Sequence, residues 1–219
     1  NPFENEVISQ KSSINKSIQK TEETPTLSEE IESTNTLSKL SQIGNHFITI
    51  SNENGLLLIH QRRAHKRILF EHFKKILTQE KNQSQQLLFP KEINLNNTEL
   101  EFIISIKQDL HAVGFIFELK NKTLIISGIP TECQEENLQI VIEDLIEQAK
   151  YSEKIQTNQK DNLAKSLATS LAIKETKKLQ EEEMEVLRKE LLNCELPSVC
   201  PSGKRTMINL KTNDLKKYF

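Results

Sequence analysis

An Asn-Gly pair between two apolar runs is the feature that most constrains how this chain can fold. The runs are residues 47–50 and 56–59, and Asn54-Gly55 lies between them. Asparagine and glycine tolerate the positive φ that a tight hairpin turn requires. A helix is predicted at about 62–77, because its apolar residues recur at helical spacing and share one face. The pattern therefore predicts a β-hairpin that leads directly into an amphipathic helix.

The rest of the chain mixes strand and helix patterns. Residues 85–89 read as a short strand closed by Pro90, and a helix capped by Asn97 or Thr98 is predicted to run to Ala112. The later predicted elements are a hairpin at 115–119 and 123–127, helices at 135–148, 161–173 and 180–194, a strand at 206–210 and a last turn at 213–218. Because strands and helices mix without a regular βαβ repeat, the fold class is α+β.

The first 42 residues have a different composition from the rest. Twelve of the first forty are Ser or Thr, and the apolar residues among them are isolated. Such sparse apolar side chains do not offset an ordering cost of about 1–2 kcal/mol per residue. Residues 1–42 are therefore predicted to be a disordered linker, with a short amphipathic helix at 27–40 as the alternative. The first residue is Asn1 rather than Met, so we expect a fragment of a longer protein.

Charge and cysteine content narrow the cellular setting. A net charge of −2 gives no global attraction to nucleic acid or membrane. Apolar runs long enough to span a bilayer are absent, and the sequence starts without a basic-then-apolar signal segment. The three cysteines form no CxxC pair, which suits a reducing compartment. We therefore expect a cytoplasmic protein without a membrane partner.

Four blocks of sequence point to one family. They are His60-Gln-Arg-Arg-Ala-His-Lys-Arg-Ile-Leu-Phe-Glu71, Gln85-Gln-Leu-Leu-Phe-Pro90, Ala168-Thr-Ser-Leu-Ala-Ile-Lys174 and Cys200-Pro-Ser-Gly-Lys-Arg-Thr206. In order and spacing they resemble motifs of the C-terminal domain of the MutL family of DNA mismatch repair proteins. The resemblance covers about 43–219. An unrelated α+β binding module would require all four blocks to be coincidental.

The resemblance implies a two-lobed architecture and a scaffold function. Residues 43–82 and 160–219 would form a dimerisation subdomain, and 83–159 an inserted external (regulatory) subdomain. The chain would form a homodimer, and its tethers would keep paired ATPase domains, absent from this chain, at high effective concentration. The mismatch-recognition protein MutS would be a partner through the full-length protein.

The resemblance also implies a degenerate nuclease motif. Active family members bind metal with an Asp, a His and a Glu at the positions of His60, Arg62 and Lys66. They have a Cys and a His where this chain has Thr169 and Ser202, so that Cys200 alone remains of the late ligands. At about 4–6 Å and an effective dielectric constant of about 20, each inward-facing cation would repel a divalent ion by several kcal/mol. We therefore expect no catalytic residue, no bound metal and no cofactor in this domain.

An enzymatic alternative stays open at this point. His60, His65 and Cys200 could form a rearranged metal site for a nicking endonuclease, because imidazole and thiolate suit zinc. The simpler interpretation is that His65 is a partly buried helix residue and Cys200 is inert.

Two segments suggest binding. Gln85, Gln86, Leu87, Leu88, Phe89 and Pro90 resemble the peptide by which bacterial proteins dock on the DNA polymerase sliding clamp. The alternative is that Leu87 and Phe89 alternate into the core of this domain. On the first helix, Arg63, Arg67 and Lys74 are predicted to share one exposed side and to contact DNA phosphates weakly, although such charge runs are usually only solvated faces.

Overall fold

The computed structural model describes residues 40–52, 55–79, 83–152 and 158–219. Residues 35–219 form one compact unit. The described residues begin at position 40. The predicted linker and the alternative helix at 27–40 therefore lie outside them as far as residue 39. None of the described helices is both long and apolar enough to cross a membrane.

Seven strands and seven α-helices make up the described chain, in the predicted α+β class. The strands are β1 (Leu40–Ile43), β2 (Phe47–Asn52), β3 (Gly55–His60), β4 (Gln85–Asn94), β5 (Ile116–Lys120), β6 (Thr123–Ile129) and β7 (Met207–Lys211). The helices are α1 (Gln61–Gln79), α2 (Asn97–Ser105), α3 (Lys107–Ala112), α4 (Leu138–Ser152), α5 (Gln159–Ser170), α6 (Glu181–Leu192) and α7 (Thr212–Leu215). Short 3-10 turns at Glu135–Asn137 and Lys216–Tyr218 precede α4 and follow α7.

The strands form two antiparallel sheets. The first has the order β1-β2-β3-β7 and the second has the order β4-β6-β5. Both predicted hairpins are confirmed, as β2 with β3 and β5 with β6. At Gly55, which has φ +152°, a Cβ atom would lie 2.1 Å from the carbonyl oxygen of Leu210 on β7. The close approach of β7 therefore requires glycine at the start of β3.

The helix pair α1 and α5 packs together and joins the core of the second sheet. Leu69 and Phe73 of α1, Leu167 of α5, and Phe115 and Ile126 beside and within the second sheet belong to one continuous buried cluster. This cluster crosses the boundary expected between the dimerisation and external subdomains. Each predicted subdomain contains one of the two sheets. The division of the chain into these two subdomains stays a prediction.

The first strand begins earlier than the sequence predicts. Residues 40–42 were expected to belong to the linker, but Leu40–Ile43 pairs antiparallel with β2. Its polar side chains are used in that pairing, since Ser41 Oγ and Thr49 Oγ1 are 2.6 Å apart. Gln42 Oε1 accepts a hydrogen bond from the backbone N–H of Leu179 at 3.1 Å. The low apolar content of this segment predicted a linker, but hydrogen bonds of its polar side chains stabilise it as a strand.

Pro90 does not end its strand. β4 continues to Asn94, and its register against β6 shifts between Gln86 and Lys91. Proline lacks the N–H that a ladder needs, so it is tolerated where regular pairing is interrupted. The irregularity in β4 therefore accommodates Pro90 without a lost ladder bond.

The predicted long helix from 97 or 98 to Ala112 is two helices. Asn96, rather than Asn97 or Thr98, caps α2, and its Oδ1 accepts the backbone N–H of Glu99 at 3.0 Å. Ile106 leaves the helical region, with φ −107° and ψ 12°, and its side chain is buried. The break therefore accompanies the placement of Ile106 in the core. The remaining predicted helices and the C-terminal strand are confirmed within a few residues.

His65 joins α1 to the segment that follows α5. Its Nδ1 accepts a hydrogen bond from the backbone N–H of Ile173 at 3.0 Å. That bond requires an unprotonated Nδ1. Burial, and then the positive charge of Lys177, lower the pKa of His65 to about 4. The side chain therefore works as a neutral hydrogen-bond acceptor.

We expect the free energy of unfolding to depend on pH through His65. Above about pH 6.5 the imidazole is neutral in both states, so its contribution is complete. Between pH 6.5 and 4 the unfolded chain binds a proton that the folded chain excludes, and stability falls by at most roughly 3 kcal/mol. Urea unfolding should show this loss, and His65→Asn should reduce it because Oδ1 accepts the Ile173 N–H at every pH. Equal pH slopes would contradict this role.

Candidate functional site

Gln61 fixes the start of α1. Its side chain is fully buried. The Nε2 amide donates to the carbonyl oxygens of Asn45 at 2.6 Å and of Glu175 and Lys177 at 3.0 Å. Oε1 accepts a hydrogen bond from Gln42 Nε2. The sequence indicates Gln61 only as part of a motif, since the backbone groups that it joins are distant in the chain.

Three cations from two parts of the chain meet beside the first turns of α1. Arg62 and Lys66 are one helical turn apart and half-buried, and Lys204 comes from a tight loop before β7. We call Arg62, Lys66 and Lys204 the cation cluster. Burial first, and then Arg62, lower the pKa of Lys66; Cys200 and Glu175 oppose this, and Lys204 lowers the pKa further. Loop 199–205, to which Lys204 belongs, lies against this helix, because Arg67 Nε donates to the carbonyl oxygen of Val199 and Arg63 Nη1 donates to that of Arg205 at 3.2 Å.

The neighbouring family positions converge on the same place. Arg62 Nη2 donates to the carbonyl oxygen of Thr169 at 3.4 Å. Cys200 is buried and its backbone N–H donates to the carbonyl oxygen of Lys204 at 2.9 Å. Ser202 is exposed in the same loop. The structure thus places Arg62, Thr169 and the Cys200–Lys204 loop beside the first turns of α1, whereas His60 lies against Phe47 on the outer face of the first sheet.

This set of side chains does not fit a divalent metal ion. Within the described ranges, no group of three His, Cys, Asp or Glu side chains could hold one. His65 already uses Nδ1 for the Ile173 N–H. His60 stacks edge-on against Phe47, with 5.3 Å between ring centroids, and burial, then Arg63, lower its pKa. The Arg62 and Lys66 charges add repulsion at the aligned position.

The predicted DNA-contact strip of Arg63, Arg67 and Lys74 is wrong for Arg67. That side chain is only 6% exposed, and its Nε donates to the carbonyl oxygen of Val199. Its Nη1 lies 3.4 Å from Glu71, so the charge is paired. Helical periodicity could not reveal this burial, because the loop that covers Arg67 lies more than 120 residues further along the chain.

The segment Gln85–Pro90 exposes most of its side chains. Leu87 is buried at 8% exposure, whereas Leu88 and Phe89 are 84% and 72% exposed. Gln85, Gln86 and Pro90 are also exposed. The interpretation that Leu87 and Phe89 both enter the core is therefore wrong for Phe89. The register shift in β4 breaks the simple alternation on which that interpretation depends.

The outer face of the first sheet carries an apolar patch beside polar side chains such as Thr49 and His60. Cross-strand pairing places Phe47, Leu58 and Ile208 on one side, opposite the buried face of Ile48 and Ile59. Phe47 and Ile208 are 40% and 41% exposed. A groove of about 270 Å³ runs beside them, lined also by His60, Arg63 and Arg205. The sequence indicates these strands, but not that one face stays open.

Comparison with known proteins agrees with these features. Residues 40–179 match the family described as the MutL C terminal dimerisation domain. The chain is 39% identical over 180 residues to a DNA mismatch repair protein MutL of Flavobacterium psychrophilum, covering 81% of this chain and 29% of that protein. It is 35% identical to the MutL of Flavobacterium johnsoniae, covering 83% of this chain and 28% of that protein. The MutL of Chlorobium limicola is also 35% identical, with 83% of this chain and 29% of the relative covered.

The chain spans about three-tenths of the length of these relatives. The family match covers well over half of the chain, and it includes α1, both sheets except β7, and the helices through α5. This chain belongs to the MutL C-terminal dimerisation domain family.

Proposed function

We propose that this chain is a dimerisation scaffold in DNA mismatch repair and that two copies join through the outer face of the first sheet. The observation that carries this proposal is the exposed apolar patch on that face. Ile43, Phe47 and Ile208 are 54%, 40% and 41% exposed, and they lie on the same side of the first sheet. A contiguous exposed apolar surface marks an interaction site more often than a solvated face.

The chemistry of the face suits a second copy of the same chain. Half-buried leucines at positions 56, 58 and 210 continue the patch across β3 and β7. Arg63 and Arg205 border the groove, so that a polar rim surrounds an apolar centre. A stable homodimer buries at least about 1,200 Å² in total, which requires a broad face of this kind.

Dimerisation would serve the parts of the protein that lie outside this chain. Two linkers of about forty residues each would hold a pair of ATPase domains at high effective concentration. The mismatch-recognition protein MutS would then act through the full-length protein. We propose a cytoplasmic setting for this assembly, consistent with its role on DNA.

We expect Phe47→Glu combined with Ile208→Glu to produce monomers. Two carboxylates in an apolar interface must be desolvated without partners, so the dissociation constant should rise by about 100-fold or more. Sedimentation equilibrium should give twice 25.3 kDa for the wild type and 25.3 kDa for the double variant.

The matched control is Val186→Glu, because Val186 is 53% exposed on α6 and is not a residue of the first sheet. It should remain dimeric. A wild type that sediments as a monomer at micromolar concentration would overturn the proposed function.

We also propose that this domain is not an endonuclease. Arg62 and Lys66 replace a metal-binding imidazole and carboxylate, and His65 is committed to the backbone N–H of Ile173. Metal-assisted cleavage of a phosphodiester needs a cation held by suitable donors. The competing hypothesis is a nicking nuclease that uses His60, His65 and Cys200.

We expect no nicking of supercoiled plasmid by the chain with manganese, and no stoichiometric zinc or manganese by elemental analysis. The triple variant His60→Asp, Arg62→His and Lys66→Glu should not gain full activity, because Thr169 and Ser202 also depart from the family pattern. Manganese-dependent nicking that disappears in Cys200→Ala would establish the competing hypothesis instead.

A second binding function is favoured by the exposure of Leu88 and Phe89. Two large apolar side chains, 84% and 72% exposed, lie next to each other on an interrupted part of β4. We propose that Gln85–Pro90 docks on the DNA polymerase sliding clamp. Gln85 would hydrogen-bond at the rim of a pocket that takes Leu88 and Phe89.

Combining Gln85→Ala with Phe89→Ala should weaken clamp binding by about 2–4 kcal/mol, the scale of truncated interface hot spots. The melting temperature should hardly change, because both side chains are exposed.

Two control variants distinguish the loss of a surface contact from damage to the core. Ile104→Ala, at a residue 54% exposed elsewhere, should affect neither property. Leu87→Ala should cost about 2–5 kcal/mol of stability, because Leu87 is buried. Unchanged clamp affinity in the double variant would exclude this docking site.

A further inference from the structure

The cation cluster of Arg62, Lys66 and Lys204 carries unneutralised charge. Among the described residues, none of the three is in a salt bridge, whereas Arg67 is paired with Glu71 and Lys177 with Glu183. One carboxylate, Glu175, acts on Lys66 from nearby, but it is exposed and less influential than Arg62. Burial, Arg62 and Lys204 together lower the pKa of Lys66 in spite of the opposing effects of Cys200 and Glu175.

Keeping these charges together costs stability. Arg62 and Lys66 are half-buried, and like charges repel more strongly where water is partly excluded. The lowered pKa of Lys66 has burial as its first cause and Arg62 as its second, which is the expected signature of that cost. A bound anion would relieve the repulsion.

The cluster is held in place rather than loosely assembled. Arg62 is oriented by the Thr169 carbonyl oxygen at 3.4 Å. Lys204 is set by the loop in which Gly203 N–H donates to the Cys200 carbonyl oxygen at 2.9 Å. Gly203 has φ +76°, and the space where its Cβ would lie is open. The three cations therefore come from a helix and from a turned loop that is exposed at Gly203.

The geometry points to a phosphate-binding site formed by Arg62, Lys66 and Lys204. The guanidinium group of Arg62 and the ammonium groups of Lys66 and Lys204 offer hydrogen-bond donors from several directions. Such donors suit the tetrahedrally arranged oxygens of a phosphate. The phosphate can come from the backbone of DNA or from a free phosphate ion. Its three residues are not among those that line the groove beside the proposed dimerisation face, and the site replaces the predicted strip of Arg63, Arg67 and Lys74.

The test compares wild type with Lys66→Met, which keeps a long apolar stem on α1 and removes one charge. Lys165→Met is the matched control, because Lys165 is an exposed lysine on α5 outside the cluster. Lys204→Met, in an exposed loop position, tests the same site without altering a helix. The full chain is used throughout, and sedimentation of each variant checks the dimer independently.

Two measurements distinguish the sources of phosphate. In thermal melts, millimolar inorganic phosphate should raise the melting temperature of wild type and Lys165→Met by about 2–4 °C, and that of Lys66→Met by clearly less. Without phosphate, Lys66→Met should melt higher than wild type, since one repelling charge is gone. In fluorescence-anisotropy titrations of duplex DNA, the slope of log affinity against log salt should fall by about 0.9 in either cluster variant.

A response to inorganic phosphate alone would keep the site and assign it to free phosphate rather than DNA. The proposal is overturned if neither phosphate stabilisation nor the salt slope differs between the two cluster variants and Lys165→Met. If Lys66→Met melts below wild type in phosphate-free buffer, repulsion among the three cations does not destabilise the fold. The response of Lys204→Met to phosphate would then decide whether the anion binds at this site.

Discussion

The buried amide of Gln61 is the interaction on which the placement of α1 depends. It lies where β3 ends and the helix begins, and it reaches carbonyl groups of the β1–β2 turn and of the segment after α5. A buried amide left without these partners would cost about 1–3 kcal/mol per unsatisfied group. The direction of α1 is therefore tied to two distant parts of the chain at once.

The anchoring of α1 decides what the neighbouring residues can do. With Gln61 and His65 committed to backbone groups, Arg62 reaches the carbonyl oxygen of Thr169, and Lys66 follows one helical turn later in α1. The same helix turns Arg67 toward Val199 and Glu71 on another side. One set of basic residues thus stabilises the fold, while Arg62 and Lys66 form no salt bridge within the described part of the chain. Sequence spacing alone treats these side chains as equivalent.

Two groups of apolar side chains in this domain are exposed to solvent instead of being buried in its core. The inner face of the first sheet is buried, but its outer face, with Phe47 and Ile208, stays open. In the second sheet, the irregular pairing of β4 turns Leu88 and Phe89 outward. Leaving such side chains in water has no benefit for the isolated fold, and partner binding supplies a physical reason for both.

The sequence by itself determined the α+β class, both hairpins and most helices, because Asn-Gly turns and apolar periodicity are local signals. The family motifs also indicated which residues replace the metal ligands. Only the tertiary structure decided that Leu40–Ile43 is a strand, that Pro90 lies within β4, and that Arg67 is buried whereas Lys66 is half-buried. Each of these depends on partners far along the chain, such as Thr49 for Ser41 and Val199 for Arg67. Local pattern cannot specify the charge, carbonyl or strand that a side chain meets after folding, and that contact determines whether a polar residue is exposed, paired or free to bind.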